Sequence, residues 1–501
     1  MALRHKPSLV GHLMLSLEYM KKIVIYWYCR FFPNHYFDNH RPTTYRVAPN
    51  RDFGNMVNKG QQTCVSVDSE QQLQTLVKKA QSDGTPINIC ASGHSSNGLT
   101  LSRQGGLRVN IKGLKPSYRM VDAETVEFSG VPRIAQLAEF LSQHGKVLPV
   151  VGDQLDLTLG GYLSAGGIGF NSVEFGLLSH HVTYLRLLTP SGEMVECTRE
   201  ENPGFFHAVL GGQGQLGIIL SGRIRVIPHQ PVYMRTDIIK NFQWEQIVPT
   251  LAQDKEANWG YHFFGISIAN NNPIALHLVG KRANSGTSLK EFDQVAQNVV
   301  GKDIISLGGA RQLAPKYNRF TMPIGYGPML LKSPYWVWNE YIIPYAEFET
   351  LMPRLAPFLT LPQAIMYCYL GNFPSQAWHK HHSFLASPSL HPGEERTCVC
   401  FGLAFAFYGG DESDLRQRQQ QLDELFPYVI AQRGLPYYHG YHPSLRPDMM
   451  ETMYPHYATF VAMKKKWDPN NILNSDWVTQ LSTNDDPGVV YESQKELLLQ
   501  S

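Results

Sequence analysis

Between Leu159 and Phe170 the chain reads Leu-Gly-Gly-Tyr-Leu-Ser-Ala-Gly-Gly-Ile-Gly-Phe, which puts five glycines between Gly160 and Gly169. Such density is costly in a regular element, because each glycine loses more backbone freedom on folding and brings no side chain to pack. What clustered glycine permits is close approach of the main chain to a flat or phosphorylated ligand, with bare N–H groups free to cradle it. The competing reading is a glycine-rich turn beside a strand bulge. The surrounding sequence has to decide between them.

Upstream, Thr63-Cys-Val-Ser-Val has strand character, and Ser69 then opens a helical run in which Leu73, Leu76 and Val77 share a face. Pro86-Ile-Asn-Ile-Cys is a second strand, and it delivers the chain into Ala91-Ser-Gly-His-Ser-Ser-Asn-Gly. A β-α-β unit thus ends in a Gly/Ser loop. Thr125-Val-Glu-Phe-Ser alternates, and Pro132 opens a helix carrying Ile134, Leu137 and Phe140 that Gly145 closes. Val182-Thr-Tyr-Leu-Arg-Leu-Leu and Glu193-Met-Val-Glu-Cys form a strand–turn–strand. A second glycine feature, Gly212-Gln-Gly-Gln-Leu-Gly217, has the spacing of a dinucleotide fingerprint, with Asp237 at the expected distance. That fingerprint needs a strand before it and a helix after it. Here Asn202 to Leu210 reads as helix and Ile218 to Val226 as strand, so the order is reversed and a nicotinamide-binding Rossmann domain is not expected.

The chain has 501 residues, enough for roughly three domains at about 150 residues each. Gln61 to about Pro228 reads as one α+β unit, whereas Tyr233 to about Tyr441 is richer in aromatics and reads as a separate domain. Asp468-Pro-Asn-Asn-Ile-Leu follows a basic helical stretch, and the tail after Leu481 is polar. Lys+Arg 44 against Asp+Glu 42 leaves a net charge of +2, which provides no field to hold a polyanion, so nucleic acid is not an expected partner. The seven cysteines lack CxxC spacing, which favours a reducing, cytoplasmic setting and argues against structural zinc. Cys398 and Cys400 alternate onto one strand face, a packing role. His379, His381 and His382 lack partners at ligand spacing and read as a polar turn, so no metal is expected. Leu9 to Phe32 is apolar and aromatic, but Glu18, Lys21, Lys22 and Arg30 interrupt it, and no small-residue cleavage site follows. Neither a membrane span nor a signal peptide is expected there. The two readings left are a helix packed on protein and an interfacial helix giving peripheral membrane contact.

Taken in order, a strand into Gly93-His94-Ser95, Asp153 just before the glycine block, Gly212 to Gly217, and Asp468-Pro-Asn-Asn-Ile-Leu near the end define a known pattern. The chain resembles the flavin oxidoreductases of the vanillyl-alcohol oxidase and p-cresol methylhydroxylase type, and among them the cytokinin dehydrogenases. The resemblance covers Gln61 to Pro228 well and the last third loosely. It implies an α+β, two-domain PCMH-type FAD-binding fold with an antiparallel-sheet substrate domain. The boundaries it suggests are an N-terminal extension over 1–45, an FAD-binding domain over 46–229, a substrate-capping domain over 230–450, and a segment over 451–501 that completes the FAD domain.

Position by position, the resemblance implies that His94 in Gly93-His94-Ser95 bonds covalently to the flavin, which would raise its potential and prevent its loss. Ala91, Ser92 and Ser95 would line the same pyrophosphate loop. Asp153, in Val151-Gly-Asp-Gln-Leu-Asp-Leu-Thr-Leu-Gly-Gly, matches the carboxylate that takes a proton from the substrate near the flavin's reactive edge. Asp156 is its rival, and a turn-forming role competes for both. Thr158, Gly160, Gly161, Ser164 and Gly167 match the flavin-contacting run, and Gly217 with Ile219 a later contact. Tyr454 matches an aromatic at the flavin edge, and Asn474 a small polar residue of the closing segment.

The sequence departs from cytokinin dehydrogenases in three places. Ser92 stands where they usually have an arginine. Trp259-Gly-Tyr-His-Phe-Phe-Gly lacks their second acid, which weakens the case for cytokinin itself, and His262 there reads as a wall residue more readily than as a replacement acid. The closing segment is Asn-Ser-Asp-Trp rather than glycine and glutamine. Tyr261, Phe263, Phe264, Trp336, Trp338, Tyr367 and Tyr369 suit either a lid over an apolar substrate or ordinary sheet core. The expected reaction is FAD-dependent oxidation of an alcohol or amine carbon of a small organic substrate, with oxygen or a quinone as electron acceptor. Its rivals are a C=C reductase like the sterol side-chain reductases, which Gly166-Gly-Ile-Gly-Phe-Asn-Ser-Val-Glu-Phe-Gly-Leu also resembles, a sugar or alditol oxidase, and a flavin-binding protein without turnover.

Overall fold

The structure, a computed structural model, describes residues 50–474 other than 55, 153–154, 156, 270–271, 284, 301–303, 307–308, 314–334, 360–363, 374–396, 408–411, 439, 441, 443–444, 446 and 455–456. The N-terminal extension, the polar tail, Asp153, Asp156 and His379, His381 and His382 lie outside the described residues, as does the side chain of Trp336.

Strands Thr63–Ser66 and Ile87–Cys90 flank Leu107–Asn110 in a parallel sheet. Parallel neighbours need a crossover, and the helix Glu70–Asp83 supplies it. Ser69 caps that helix by accepting the Gln72 N–H at 3.3 Å, and Gly84 ends it at φ 66. Leu73, Val77 and Ala80 are its buried stripe, and Leu76, expected on the same face as Leu73 and Val77, packs there half-buried. The far end of the chain returns to this sheet. Ile87 N–H donates to Ile472 O at 2.7 Å, Asn474 N–H donates to Ile87 O at 2.9 Å, and Ile472 and Leu473 join the core beneath.

A five-stranded antiparallel sheet follows in the order Ser117–Met120, Thr125–Ser129, Ile218–Arg225, Val182–Leu188, Met194–Thr198. The helix Pro203–Val209 precedes the second glycine feature and the strand Ile218–Arg225 follows it, so the reversed order read from sequence is the observed one.

The third element is a nine-stranded sheet. Its central run is Asn272–Arg282, Tyr261–Ala269, Ala364–Asn372, Thr397–Phe407, Tyr335–Pro344, all antiparallel. Helices Tyr345–Leu359 and Glu412–Ala431 cover one face of its last strands. Strand alternation sorts the side chains: Phe401 and Phe405 pack toward the helices on Phe348 and Phe358, while Cys398, Cys400, Gly402 and Ala404 point the other way. Both cysteines are fully buried in packing. This sheet begins at Val232, and one hydrophobic cluster from Val126 to Phe460 runs across it. The architecture is α+β.

Candidate functional site

A cavity runs between the glycine loops and one face of the nine-stranded sheet. The loop after strand Ile87–Cys90 forms one wall. Gly93 turns it at φ 75, and Ala91, Ser92, Gly93, His94 and Ser95 all line the cavity. Ser92 Oγ accepts the Thr158 N–H at 3.2 Å, tying this loop to the start of the glycine helix Leu159–Ala165. Behind it the Phe53 ring stacks on His94 with centroids 4.9 Å apart, and Phe53 N–H donates to Ser95 O at 3.1 Å. Asn97 reaches Ser95 Oγ with its side-chain oxygen and donates from its Nδ2 to Tyr438 O, linking loop and aromatic wall.

The glycine block divides by task. Thr158, Gly160, Gly161 and Ser164 line the cavity, and a Cβ at Gly160 would meet only Ile219, at 3.8 Å. That glycine leaves open space which a ligand can use. A Cβ at Gly169 would sit 2.2 Å from Val151 O, and one at Gly167, where φ is 78, would sit 2.8 Å from Leu178 Cβ. Gly167 is off the lining and serves packing. Gly152, directly before Asp153, is on it.

Gln213, Gly214, Gly217 and Ile219 continue the wall, and Asn474 completes it. Asn474 Nδ2 donates to Gln213 O at 3.2 Å and Gly214 O at 3.1 Å, and Gln215 Nε2 donates to Asn474 O at 3.1 Å. A buried ion pair fixes the segment. Lys464 Nζ lies 2.7 Å from Asp468 Oδ2 and also donates to Gln215 O at 2.8 Å and Leu473 O at 2.6 Å. Asp468 in turn accepts the N–H groups of Ile472 and Leu473, both at 2.9 Å. Burial lowers the Lys464 ammonium pKa, and Asp468 opposes that shift.

On the lining, Gln213 Nε2 and Thr100 Oγ1 have no hydrogen-bond partner among the described residues. Buried polar groups without partners are rare and mark a missing ligand or water. With the bare glycines and the Gly/Ser loop, they fit a phosphate-bearing, hydroxyl-rich cofactor such as FAD. Neither residue stands out in the sequence, because an uncharged polar side chain in a loop carries no local signal.

The opposite wall is aromatic. Phe263, Trp338, Tyr367 and Tyr369 line the cavity, whereas Phe264 and Tyr261 are core. Tyr438 lines it too, and Tyr454 stands behind Tyr438 with ring centroids 6.4 Å apart and is not on the lining. The sequence reading found no carboxylate for this wall, but Glu340, 4% exposed, is on it and accepts the Tyr369 Oη–H at 3.1 Å. Its signal is the lone charge of the strand, at the same parity as Trp338.

His262 is neither a cavity wall nor a replacement acid. Its Nδ1 accepts the Leu370 N–H at 3.1 Å, so Nε2 carries the proton and donates to Asp254 Oδ2 at 2.9 Å. Trp259 Nε1 at 2.8 Å and His277 Nε2 at 2.9 Å complete a fully buried network on the same carboxylate. Burial pushes the Asp254 carboxyl up, but His277 and His262 together hold it well below the usual carboxylate range. Asp52, beside Phe53, is the opposite case: burial pushes its carboxyl up to about 7 against bonds from the Val57 and Met56 N–H groups.

A glycine-walled cofactor chamber closed by an aromatic sheet defines the class, and residues 62–198 match the family described as FAD binding domain. This stretch carries both the Gly/Ser loop and the glycine block, so FAD is the cofactor the domain takes. The resemblance to FAD-linked oxidoreductases, cytokinin dehydrogenases among them, holds there. The chain is 35% identical over 189 residues to cytokinin dehydrogenase 2 of Arabidopsis thaliana, covering 37% of each chain. It is 31% identical over 177 residues to the D-arabinono-1,4-lactone oxidase of Yarrowia lipolytica, covering 34% of this chain and 33% of that one. A longer match, 28% over 308 residues, covers 58% of this chain and 65% of the FAD-linked oxidoreductase nodO of Hypoxylon pulicicidum. The chain spans between a third and about two fifths of the length of the first curated relatives it matches. Among the described residues, no helix is long and apolar enough to cross a membrane.

Proposed function

We propose that the chain is an FAD-dependent oxidoreductase that oxidises an alcohol or amine carbon of a small organic substrate, in a two-domain arrangement of the kind the resemblance implies. The observation that carries this reading is the cavity in which the glycine loops of the FAD-binding stretch face the aromatic sheet wall. FAD, when bound, supplies a two-electron acceptor. The N–H groups around Gly160, Gly161 and Gly214 would hold its phosphates, Gln213 Nε2 and Thr100 Oγ1 would donate to its oxygens, and Asn474 locks the Gln213–Gly214 turn.

His94 would tether the cofactor covalently, and the Phe53 ring fixes the plane of its imidazole. Asp153 takes the proton from the substrate's O–H or N–H onto a carboxylate oxygen, a role supported by its match to the family's acid and by the place of Gly152 on the lining. The aromatic side chains exclude water from that transfer. Among the described residues the lining holds neither Lys nor Arg, which weighs against a sugar-acid substrate and the alditol oxidase alternative. Oxygen or a quinone is the proposed acceptor and the cytoplasm the proposed setting.

The test is to load the protein with FAD, precipitate it with acid and follow the yellow colour. Colour that stays with the pellet, and that leaves it in His94→Ala, is the expected result, together with bleaching by an alcohol or amine that Asp153→Asn slows about a hundredfold or more. A protein that takes up no flavin refutes the reading. Colour released to the supernatant from the unaltered protein refutes the tether.

A further inference from the structure

We infer that the aromatic end of the cavity is a cation site, which makes the substrate one that carries an alkylammonium group. This rests on the reading of the cavity as a chamber shared by flavin and substrate. The argument begins with strand register. Thr397–Phe407 lies between Ala364–Asn372 and Tyr335–Pro344, so Gly402 stands opposite both Tyr367 and Glu340, and Ala404 opposite Trp338. Residues two apart on a strand share a face, so Tyr367 and Tyr369 rise along one side of this middle strand while Trp338 and Glu340 rise along the other. The middle strand is small where the walls are large. A Cβ at Gly402 would lie 2.2 Å from Tyr367 Cζ, so only glycine lets that ring lie across the strand.

Hydrogen bonds hold the rings in place. Trp338 Nε1 donates to Tyr367 Oη at 2.6 Å, across the middle strand, and Tyr369 Oη donates to Glu340 at 3.1 Å. Tyr367 and Tyr369 are parallel within 1° at 6.5 Å, Phe263 is stacked over Tyr367 at 6.1 Å, and Trp338 stands at 6.4 Å from Tyr367. An ammonium within about 6 Å of such ring faces is attracted by their quadrupoles, and more strongly where water is excluded. Glu340 is the one carboxylate among the described residues of the lining, and it stands in the same group of side chains. Aromatic faces and a buried carboxyl group held on one wall favour a positive ligand over a neutral one of the same shape. A cage fixed by its own hydrogen bonds loses little entropy when it is filled.

The test compares choline with its neutral isostere 3,3-dimethyl-1-butanol, binding each to FAD-loaded protein by calorimetry. The two probes share shape and hydroxyl and differ in charge. The expected result is at least tenfold tighter binding of choline, reduced to within about threefold in Glu340→Gln, which keeps an acceptor for Tyr369, and likewise in Trp338→Leu, which removes a ring face. If circular dichroism shows Glu340→Gln to be unfolded, Trp338→Leu decides. Equal binding of the two probes, tighter binding of the isostere, or a preference that survives both substitutions overturns the inference. The visible spectrum separates the two readings. A yellow protein that does not discriminate loses only the cation site, whereas a protein that never takes up flavin but still prefers choline keeps the cation site and refutes the proposed function.

Discussion

Replacing Lys464 with methionine removes a charge that is fully buried while keeping the volume of the side chain. The ammonium holds three oxygens, those of Asp468, Gln215 and Leu473, between 2.6 and 2.8 Å away. Without it the Asp468 carboxylate keeps the Ile472 and Leu473 N–H groups but stands buried without its counter-ion, and two main-chain carbonyls lose a donor. Removing one member of a buried pair costs about 3–5 kcal/mol. The orphaned carbonyls overlap with that figure rather than add to it, so we expect about 4 kcal/mol. The damage is local to the cofactor wall, because Gln215 and Leu473 hold Asn474 against the Gln213–Gly214 turn. Urea titration followed in parallel by tryptophan and flavin fluorescence is the assay. Lys464→Met should unfold at lower urea and unmask flavin fluorescence earlier. Lys464→Met with Asp468→Leu should not recover the loss, because it removes the buried charge but also strips the Ile472 and Leu473 N–H groups of their acceptor. A single-variant loss below about 1 kcal/mol, with an unchanged dependence on urea, would refute the claim that the pair is charged and dry.

Gly160→Ala should leave the apo-protein as stable or slightly more so, since alanine is the better helix former by up to about 1 kcal/mol, yet weaken FAD binding about tenfold or more; Gly169→Ala, whose Cβ would meet Val151 O at 2.2 Å, should lower stability itself, and thermal melts with and without FAD separate the two. Asp254→Asn should cost about 3 kcal/mol, because an amide nitrogen would face donors that a carboxylate accepts. The Asp254 carboxyl is depressed in the fold, so its contribution is present above the unfolded value near about 4 and is lost as pH falls toward the folded one; the variant should flatten the acid limb of a stability–pH curve. Asp52 has the opposite sign. With its carboxyl raised to about 7, the folded state binds the extra proton, so stability falls as pH rises between about 4 and 7, and Asp52→Asn should abolish that slope in urea titrations across this range.

The sequence determined what is local. Ser69 and Gly84 bound their helix because a hydroxyl and a left-handed glycine act within one turn of it, and the glycine at φ 75 in Ala91–Ser95 marks the loop from the chain alone. The reversed order of helix, glycine feature and strand around Gly212 to Gly217 was legible for the same reason, since each element carries its own period. The aromatic wall was visible only as composition. Which of its rings face the cavity depends on the parity of Trp338, Tyr367 and Phe263 against partners far along the chain, and strand register is fixed by the assembled sheet. Tertiary structure alone made Glu340 a wall residue, took His262 out of the cavity onto Asp254, put Tyr454 behind Tyr438, and buried Lys464 within a basic helical stretch. A charged side chain has the same sequence signature in water and in a dry pair. Only the residues that surround it in space decide whether it is solvated, paired or left facing a ligand.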